Sequence, residues 1–317
     1  MVNGIINVYK EKGFTSFDVV AKMRGIFHQK KIGHTGTLDP DATGVLPVCL
    51  GKATKVCDLL TDKDKTYEAV LLLGKETDTQ DITGTVLQEA HVDVTEAQVK
   101  EAVHSFVGEI LQIPPMYSAL KVNGQKLCDL ARQGIEVERK ARPVQIYDIT
   151  IHKIDLPEVT MTVHCSKGTY IRTLCHDIGQ KLGCYGCMKS LIRTRVSHFS
   201  LENAMTLEEI QYLVEERTQG IPLEQWSNDM FDPVIQEVDT LFDYPVGQIH
   251  KDAEKLLRNG NPIPMEWVTA SEDGVTHDKA EEKLFKLYDW DKHFIGLYMY
   301  RDEIKDYKPR KLFYDFS

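Results

Sequence analysis

Long apolar runs are missing from this chain of 317 residues. None of its hydrophobic stretches approaches the roughly 20 residues that a membrane-spanning helix needs. The opening stretch, MVNGIINVYKEKGFTS, also lacks the charged segment followed by an apolar segment that marks a secretory leader. We therefore expect a cytoplasmic protein with no membrane partner, built as one large domain or as one large and one small domain.

Cysteine is sparse, with seven scattered residues, an odd number. This pattern excludes the dense framework of a small disulfide-stabilised secreted domain. Cys184 and Cys187 form one CxxC motif, but neither a second pair nor a histidine at zinc-finger spacing accompanies it. We therefore expect reduced thiols near a turn and no metal site.

A surplus of positive charge is missing as well, since the net charge is −10. Taken alone, this value argues against a protein that binds nucleic acid. The distribution is uneven, however: residues 1–60 carry +3 and residues 115–200 carry +6, whereas residues 61–114 carry −7 and residues 201–317 carry −12. Two mildly basic segments fit local phosphate contacts, and they fit ordinary solvated surfaces nearly as well.

Helix and strand signals alternate irregularly along most of the chain. Helix signals, three of them with Thr15, Thr95 or Thr206 at the capping position, fall on residues 16–27, 95–108, 173–183 and 206–220. Strand signals fall on residues 4–9, 65–74, 83–90, 143–156 and 158–171. Because no regular βαβ repeat appears, the predicted class is mixed α+β.

The sequence becomes irregular around residues 221–245, and we place a domain boundary there. The predicted domains are residues 1–237 and residues 238–317. The second has one short helix signal, KDAEKLLRNG, followed by the strand-like runs KLFKLYDW and FIGLYMY. This composition suits a small, β-rich, barrel-like domain.

The stretch KIGHTGTLDPDATGVLPVCLG, residues 31–51, places two acidic residues beside a proline in a turn-rich loop. The simplest interpretation is a capped turn, because Asp and Pro favour turns. Asp39, Asp41 and Thr43 also have the spacing of a Mg²⁺-dependent phosphotransferase loop, although a polar, glycine-rich segment precedes them where a buried strand would be needed. A third interpretation is a carboxylate that acts on a sugar carbon or a base.

The same stretch resembles the catalytic motif of the TruB family, the tRNA pseudouridine(55) synthases. Five further blocks resemble that family in the same order, over about residues 3–215: YKEKGFTS, KTYEAVLLLGKETDTQDITG, IPPMYSALKVNGQKL, CSKGTYIRTLCHDIG and MKSLIRTRV. The C-terminal segment resembles the PUA domain of bacterial members, best in LRNGNPIP.

The resemblance implies a mainly antiparallel sheet of the pseudouridine synthase type, followed by a small PUA-like domain. It implies that a uridine in the T-loop of tRNA is flipped out and isomerised to its C-glycoside, with no metal or other cofactor. The partner would be the T-arm stem-loop, and we expect a monomer.

By resemblance, three residues carry the chemistry. Asp39 is the catalytic carboxylate, which either bonds to the nucleotide or abstracts a sugar proton. Arg172 pairs with Asp39, keeps it ionised and orients it. Tyr67 stacks on the flipped uracil and lies near the proton at C5.

Five further positions match residues that bind or support the substrate site. Tyr170 bonds the edge of the uracil, and the backbone of Leu191 contacts the base. His34 fills the space that the flipped base leaves. Lys10 braces the catalytic loop, and Asp81 positions either the arginine or the RNA.

The sequence departs from the family pattern at Glu11, where a proline is usual, at Ser197 and His198, where Ser-Gly is usual, and at the CxxC motif. An alternative hypothesis, from a different functional class, is a non-catalytic tRNA-binding or folding factor on the same fold. The presence of Asp39, Tyr67, Tyr170 and Arg172 together favours the enzyme.

Overall fold

The computed structural model describes residues 1–270 and 284–314. The strands β1 to β13 are Gly4–Lys10, Ile32–His34, Thr43–Leu50, Lys65–Leu73, Lys75–Thr77, Val86–Glu89, Gly108–Gln112, Lys121–Val122, Gln125–Lys126, Arg142–Asp155, Glu158–Cys165, Gly186–Val196 and Phe199–Ser200. The strands β14 to β19 are Val246–Ile249, Ile263–Pro264, Val268–Ala270, Leu284–Tyr288, Phe294–Arg301 and Asp306–Leu312.

The helices α1 to α7 are Ser16–Ile26, Cys57–Thr61, Glu96–His104, Leu127–Arg132, Ile171–Leu182, Leu207–Thr218 and Glu254–Arg258. Short 3₁₀ turns are Gly51–Val56, Leu201–Asn203, Leu223–Gln225, Asn228–Phe231, Val238–Leu241, Lys251–Ala253 and Met265–Trp267. Within the described ranges, none of the helices combines the length and apolar character needed to cross a membrane.

Local end signals fix the boundaries of the longer helices. Thr15, Thr95 and Thr206 each accept a backbone N–H from the first turn, and the side chain three residues on reaches back to the cap. These capping boxes satisfy two otherwise unpaired N–H groups each, and they confirm the predicted helix starts. Gly183, with φ 73°, ends α5 in the left-handed conformation, as its position predicted.

The larger sheet has the order β1-β3-β12-β4-β11-β10-β7, with β2 beside β3 and β13 beside β12. Its neighbours are antiparallel apart from β3 and β12, which are parallel. The predicted mixed, mainly antiparallel α+β class is therefore confirmed. Because β12 lies between β3 and β4, the loop that enters β3 is brought next to the middle of the sheet.

Two predicted boundaries are wrong. The helix predicted over 95–108 ends at His104, because Gly108 adopts φ 114° and begins β7. The strand predicted over 158–171 ends at Cys165, since Gly168 turns the chain at φ 78° before α5 begins. The sequence also left β3 and β12 unassigned as strands.

The second sheet has the order β15-β19-β18-β17-β14-β16 and lies entirely after residue 245. It confirms the predicted β-rich C-terminal part. The predicted strand KLFKLYDW starts at Lys283, outside the described residues; β17 covers Leu284–Tyr288, and the predicted last two residues lie beyond its end. Leu297 and Phe313 of this part pack into one cluster with Val45 and Cys49 of β3, so the two sheets share a core.

Candidate active site

The loop that carries Asp39 joins β2 to β3 and is held by hydrogen bonds to the segment YKEKGFTS, residues 9–16. The Gly13 N–H donates to the Pro40 carbonyl at 2.9 Å. The Leu38 N–H donates to Ser16 Oγ at 2.9 Å, at the buried start of α1. These bonds fix the backbone on both sides of Asp39, so its carboxylate leaves the loop in a defined direction.

Asp39 and Arg172 form a two-point ion pair. Arg172 Nε lies 3.1 Å from Asp39 Oδ2, and Arg172 Nη2 donates to Asp39 Oδ1 at 3.3 Å. The Arg172 side chain is 7% exposed and the Asp39 side chain is 39% exposed. The carboxylate is therefore accessible from solvent, whereas the guanidinium is buried. A planar guanidinium that binds both carboxylate oxygens also fixes the orientation of the acid.

Opposing effects act on the charge of Asp39. Burial raises the pKa of the Asp39 carboxyl, and Arg172 counteracts this by favouring the ionised form. Asp81 raises this pKa further, and Lys10 lowers it. The net direction is upward, so the ionised state that a catalytic carboxylate needs depends directly on the arginine.

Arg172 is held by a tight turn after β5. Asp81 lies in this turn and accepts from Arg172 Nη1 at 3.4 Å, and the Thr79 carbonyl accepts from the same nitrogen at 3.1 Å. The other oxygen of Asp81 accepts from the N–H of Thr83 at 3.0 Å and from its hydroxyl at 2.6 Å. Of the two predicted alternatives, the geometry favours contact of Asp81 with the arginine.

Lys10 lies fully buried at the end of β1. Its ammonium donates to the Pro40 carbonyl at 3.1 Å and to the Glu11 carbonyl at 3.2 Å. Burial lowers the pKa of Lys10 to about 8, although Asp39 acts in the opposite direction. The contact with Pro40 is the one expected of a residue that braces the catalytic loop.

A buried arginine that the sequence analysis did not single out organises the other side of the loop. Arg193, 1% exposed, donates to the carbonyls of Val45 at 2.7 Å, Gly36 at 3.3 Å and Thr37 at 3.4 Å. Burial lowers the pKa of Arg193, and the adjacent hydroxyl of Tyr67 acts in the opposite direction. A signal for it was present: in MKSLIRTRV, Arg193 follows the predicted site residue Leu191 by two positions, which places both on one face of a strand.

Tyr67 lies on β4 opposite Arg193 of β12 and is 8% exposed. Burial raises the pKa of its hydroxyl, while Arg193 lowers it. Its ring shares an apolar cluster with Leu191 and with Leu38 and Ala42, which flank the acidic turn. Tyr67 and Leu191 are therefore brought beside the loop of Asp39.

Tyr170 immediately precedes α5 and is half-buried. Its N–H donates to Gln112 Oε1 at 2.8 Å, and its carbonyl accepts from Gln112 Nε2 at 3.0 Å. These two hydrogen bonds to Gln112 of β7 fix the start of the helix that carries Arg172. Gln112 is a second residue that the sequence did not reveal, because only the folded sheet brings it to this helix.

His34 ends β2 and is half-buried on the Gly36 side of the loop, where the N–H of Gly36 donates to its Nδ1 at 3.2 Å. Burial lowers the pKa of His34, and the nearby Arg193 adds to this effect. A neutral imidazole is therefore favoured, in agreement with its role as an acceptor. The charged neighbour of His34 is Arg193, and His34 is not among the groups that act on Asp39.

Asp41 does not converge with Asp39 on a shared metal position. Its side chain is 56% exposed and lies 3.9 Å from Lys12 Nζ, whereas Asp39 binds an arginine. This divergence argues against the phosphotransferase interpretation. Cys184 and Cys187 are both buried, and burial raises the pKa of Cys187 to about 11, which disfavours a thiolate ligand there.

Comparison with known proteins identifies the family of this chain. The family model for the N-terminal domain of TruB family pseudouridylate synthases matches residues 24–171, and the model for the C-terminal domain of tRNA pseudouridylate synthase B matches residues 172–243. The tRNA pseudouridine synthase B of Lachnoclostridium phytofermentans is 53% identical, over 98% of this chain and all of the relative. That of Alkaliphilus oremlandii is 43% identical, over 98% of this chain and 97% of the relative.

Solved structures of similar fold include a Cbf5–Nop10–Gar1 complex, with 28% identity and a TM-score of 0.72. They also include an H/ACA ribonucleoprotein bound to a substrate RNA containing 2′-deoxyuridine, with 26% identity and a TM-score of 0.71. Each match covers 98% of this chain and 85% of the other. From its two family matches and its near-full-length relatives, the chain belongs to the TruB family of pseudouridylate synthases.

Proposed function

We propose that this protein isomerises a uridine of tRNA to pseudouridine, at position 55 in the T-loop. The observation that carries the proposal is the two-point pairing of Asp39 with Arg172 in a braced, partly open loop beside Tyr67. Relatives of nearly the same length are named tRNA pseudouridine synthase B, which supports tRNA as the substrate.

The reaction needs one carboxylate near the sugar of the target nucleotide. Asp39 either adds to the sugar carbon C1′ or removes a sugar proton, and in both cases the N1–C1′ bond breaks. The freed uracil turns and C5 bonds to C1′, while the Asp39–C1′ bond breaks in the first case or the abstracted proton returns to the sugar in the second. C5 then loses its proton and N1 gains one, so the atoms balance. Arg172 keeps Asp39 ionised despite the burial that raises its pKa.

Tyr67 and Arg193 serve the later half of the reaction. The Tyr67 ring provides a stacking surface for the base, and its hydroxyl lies beside the buried guanidinium of Arg193. This cation favours the phenolate form of Tyr67, the form that can accept the proton that C5 loses, against the burial that raises the pKa of the hydroxyl. Leu191, in the same apolar cluster, closes the other side of the base site.

The remaining predicted residues serve access to the uridine. A base stacked within the T-loop must be extruded, at a cost of a few kcal/mol. His34, which is half-buried and favoured in its neutral form, takes up the space that the flipped uracil vacates. Tyr170 forms a hydrogen bond to the edge of the uracil.

We further propose a cytoplasmic monomer that needs no metal or cofactor. Its domains would be residues 1–237 for catalysis and residues 238–317 as an RNA-binding accessory.

Tritium release from a T-arm stem-loop labelled with 5-³H-uridine tests this function. The enzyme should release tritium from the RNA with uridine at position 55 and none from a matched RNA with cytidine there. A duplex without the loop should react far more slowly, because recognition depends on loop shape and extruded bases. Tight binding of the stem-loop without release would instead indicate the non-catalytic binding factor.

A further inference from the structure

Helix α5, which carries Arg172, is attached side by side to the turn that carries Asp81. Three of its side chains bind residues 76–81, on the same face of the helix. The contacts are Arg172 Nη1 to the Thr79 carbonyl at 3.1 Å, Thr173 Oγ1 to Gln80 Oε1 at 2.7 Å, and His176 Nε2 to Glu76 Oε1 at 2.9 Å. The first belongs to the catalytic arginine itself, whereas the last lies one helical turn further on.

The ring of His176 lies between two carboxylates. Its Nε2 faces Glu76 on β5, and its Nδ1 faces Asp177 on its own helix at 3.1 Å. Both nitrogens can donate to these acceptors only when the imidazole is doubly protonated. Hydrogen bonding to Asp177 raises the pKa of His176, and Glu76 adds to this effect against the opposing effect of burial. Gln180, also on α5, places its side-chain Nε2 3.3 Å from His176 Nε2 and adds no charge.

The histidine side chain and Glu76 are each 20% exposed, so this ion pair is better shielded from water than a typical surface pair. Glu76 directly precedes Thr77, whose hydroxyl donates to the Asp81 carbonyl at 2.7 Å. Glu76 is thereby connected within a few bonds to the acid that accepts from Arg172. An anchor at Glu76 restrains the near end of the turn that holds the catalytic arginine.

We propose that His176 is a positioning residue: its imidazolium anchors Glu76, so that Asp81 holds Arg172 against Asp39. This inference rests on the proposed function and adds a residue that never touches the substrate. When the anchor is lost, Arg172 moves relative to Asp39 and the ionised form of Asp39 is less favoured. Catalysis then fails first at low pH, where Asp39 is most easily protonated.

The test is to measure kcat and KM for tritium release between about pH 6 and about pH 9. The variants are His176→Gln, which keeps a donor but removes the charge, Glu76→Gln, and the double variant. Each should lower kcat about tenfold at the acid end with little change in KM. Each should approach wild type as the pH rises and the wild-type histidine loses its proton. The double variant should be no worse than either single variant, because both remove one interaction.

His152→Gln is the matched control, because His152 is exposed on β10 and bonds only the Thr162 hydroxyl among the described contacts. It should leave the pH profile unchanged. Unaltered profiles in His176→Gln and Glu76→Gln, or a loss that is equal at all pH values, would overturn the proposal. If wild type itself releases no tritium, the proposed function fails, and the role assigned to His176 in that reaction fails with it.

Discussion

The shape of one side chain decides how the acid of this site is held. Arg172 lies within 3.3 Å of both oxygens of Asp39, and it donates to one of them, to the carbonyls of Thr79 and Tyr117, and to Asp81. A lysine would keep the positive charge but would offer one ammonium in place of a planar fork. Charge alone therefore cannot replace the orientation that Arg172 gives to Asp39.

We expect Arg172→Lys to lower the single-turnover rate by about 100-fold or more, because the carboxylate loses its fixed direction. Arg217→Lys is the control: Arg217 also donates to backbone carbonyls, those of Met230 and Asp232, but lies on α6 away from the loop. Its rate should stay near wild type. An Arg172→Lys enzyme of nearly full activity would show that only the charge matters.

At the scale of elements, what the sequence could predict depends on how local each signal is. The capped helices were predicted within a few residues because a threonine and its partner lie three positions apart in the chain. The strand β12 was missed because it shows no clean alternation: Arg193 is buried in it, whereas Lys189 and Ser190 are exposed. Its place between β3 and β4 depends on pairings that are remote in sequence.

The site was predictable to the same degree. Motif resemblance gave Asp39 and Arg172, and the structure joins them. Gln112 lies outside the matched blocks, and His176 and Glu76 lie in two different blocks with nothing in the sequence to pair them, since the contacting residues are 58 and 100 positions apart in the chain. Such supporting contacts exist only once the strands and α5 have packed together.

Gly44 is the element-scale test of the β3–β12 junction. It adopts φ +107°, and a Cβ atom there would lie 2.2 Å from the Arg193 carbonyl oxygen. Gly44→Ala should therefore lower the free energy of unfolding by about 3 kcal/mol or more, measured by urea denaturation. Gly108→Ala is the control, because Gly108 has a similar φ of +114° but open space around the Cβ position. Equal losses in the two variants would mean that the close approach to β12 is unimportant.

Lys10 gives the braced loop a pH-dependent stability. Burial lowers its pKa from 10.5 to about 8, so between these values the unfolded chain still holds a proton that the folded chain has released. Stability should then rise with pH across this window. Relative to Lys10→Met, wild type should gain about 2 kcal/mol between about pH 7 and about pH 10, measured by urea unfolding. Lys22→Met is the control, because Lys22 is exposed on α1, and it should show the same dependence of stability on pH as wild type. If the free energy of unfolding changed with pH equally in wild type and Lys10→Met, the role assigned to Lys10 would be wrong.

At the scale of the whole molecule, the two sheets are coupled through a shared core. Phe313 packs in the cluster that contains Val45 and Cys49 of β3, whereas the described residues of the cluster around Phe285 all lie after residue 245. Because β3 leads directly out of the catalytic loop, the stability of that loop should depend on the C-terminal part. A boundary near residue 237 would therefore separate the proposed catalytic and RNA-binding parts, although the hydrophobic core continues across it.

We expect Phe313→Ala to cost about 3 to 5 kcal/mol and to accelerate hydrogen exchange of the β1 and β3 amides. Phe285→Ala should cost a similar amount but accelerate exchange only in β14 to β19. Unchanged protection of β3 in Phe313→Ala would show that the two sheets are independent.

The most direct test of the whole account is the Asp39→Asn variant in the tritium-release assay, with stem-loop binding measured in parallel. Asparagine keeps the size of the side chain but cannot act as a carboxylate. We predict that release falls to background while the affinity for the T-arm stem-loop stays within about tenfold of wild type, because Asp39 acts on the transition state. Substantial release by Asp39→Asn would contradict catalysis by this carboxylate, and loss of binding together with release would indicate a role in holding the RNA instead.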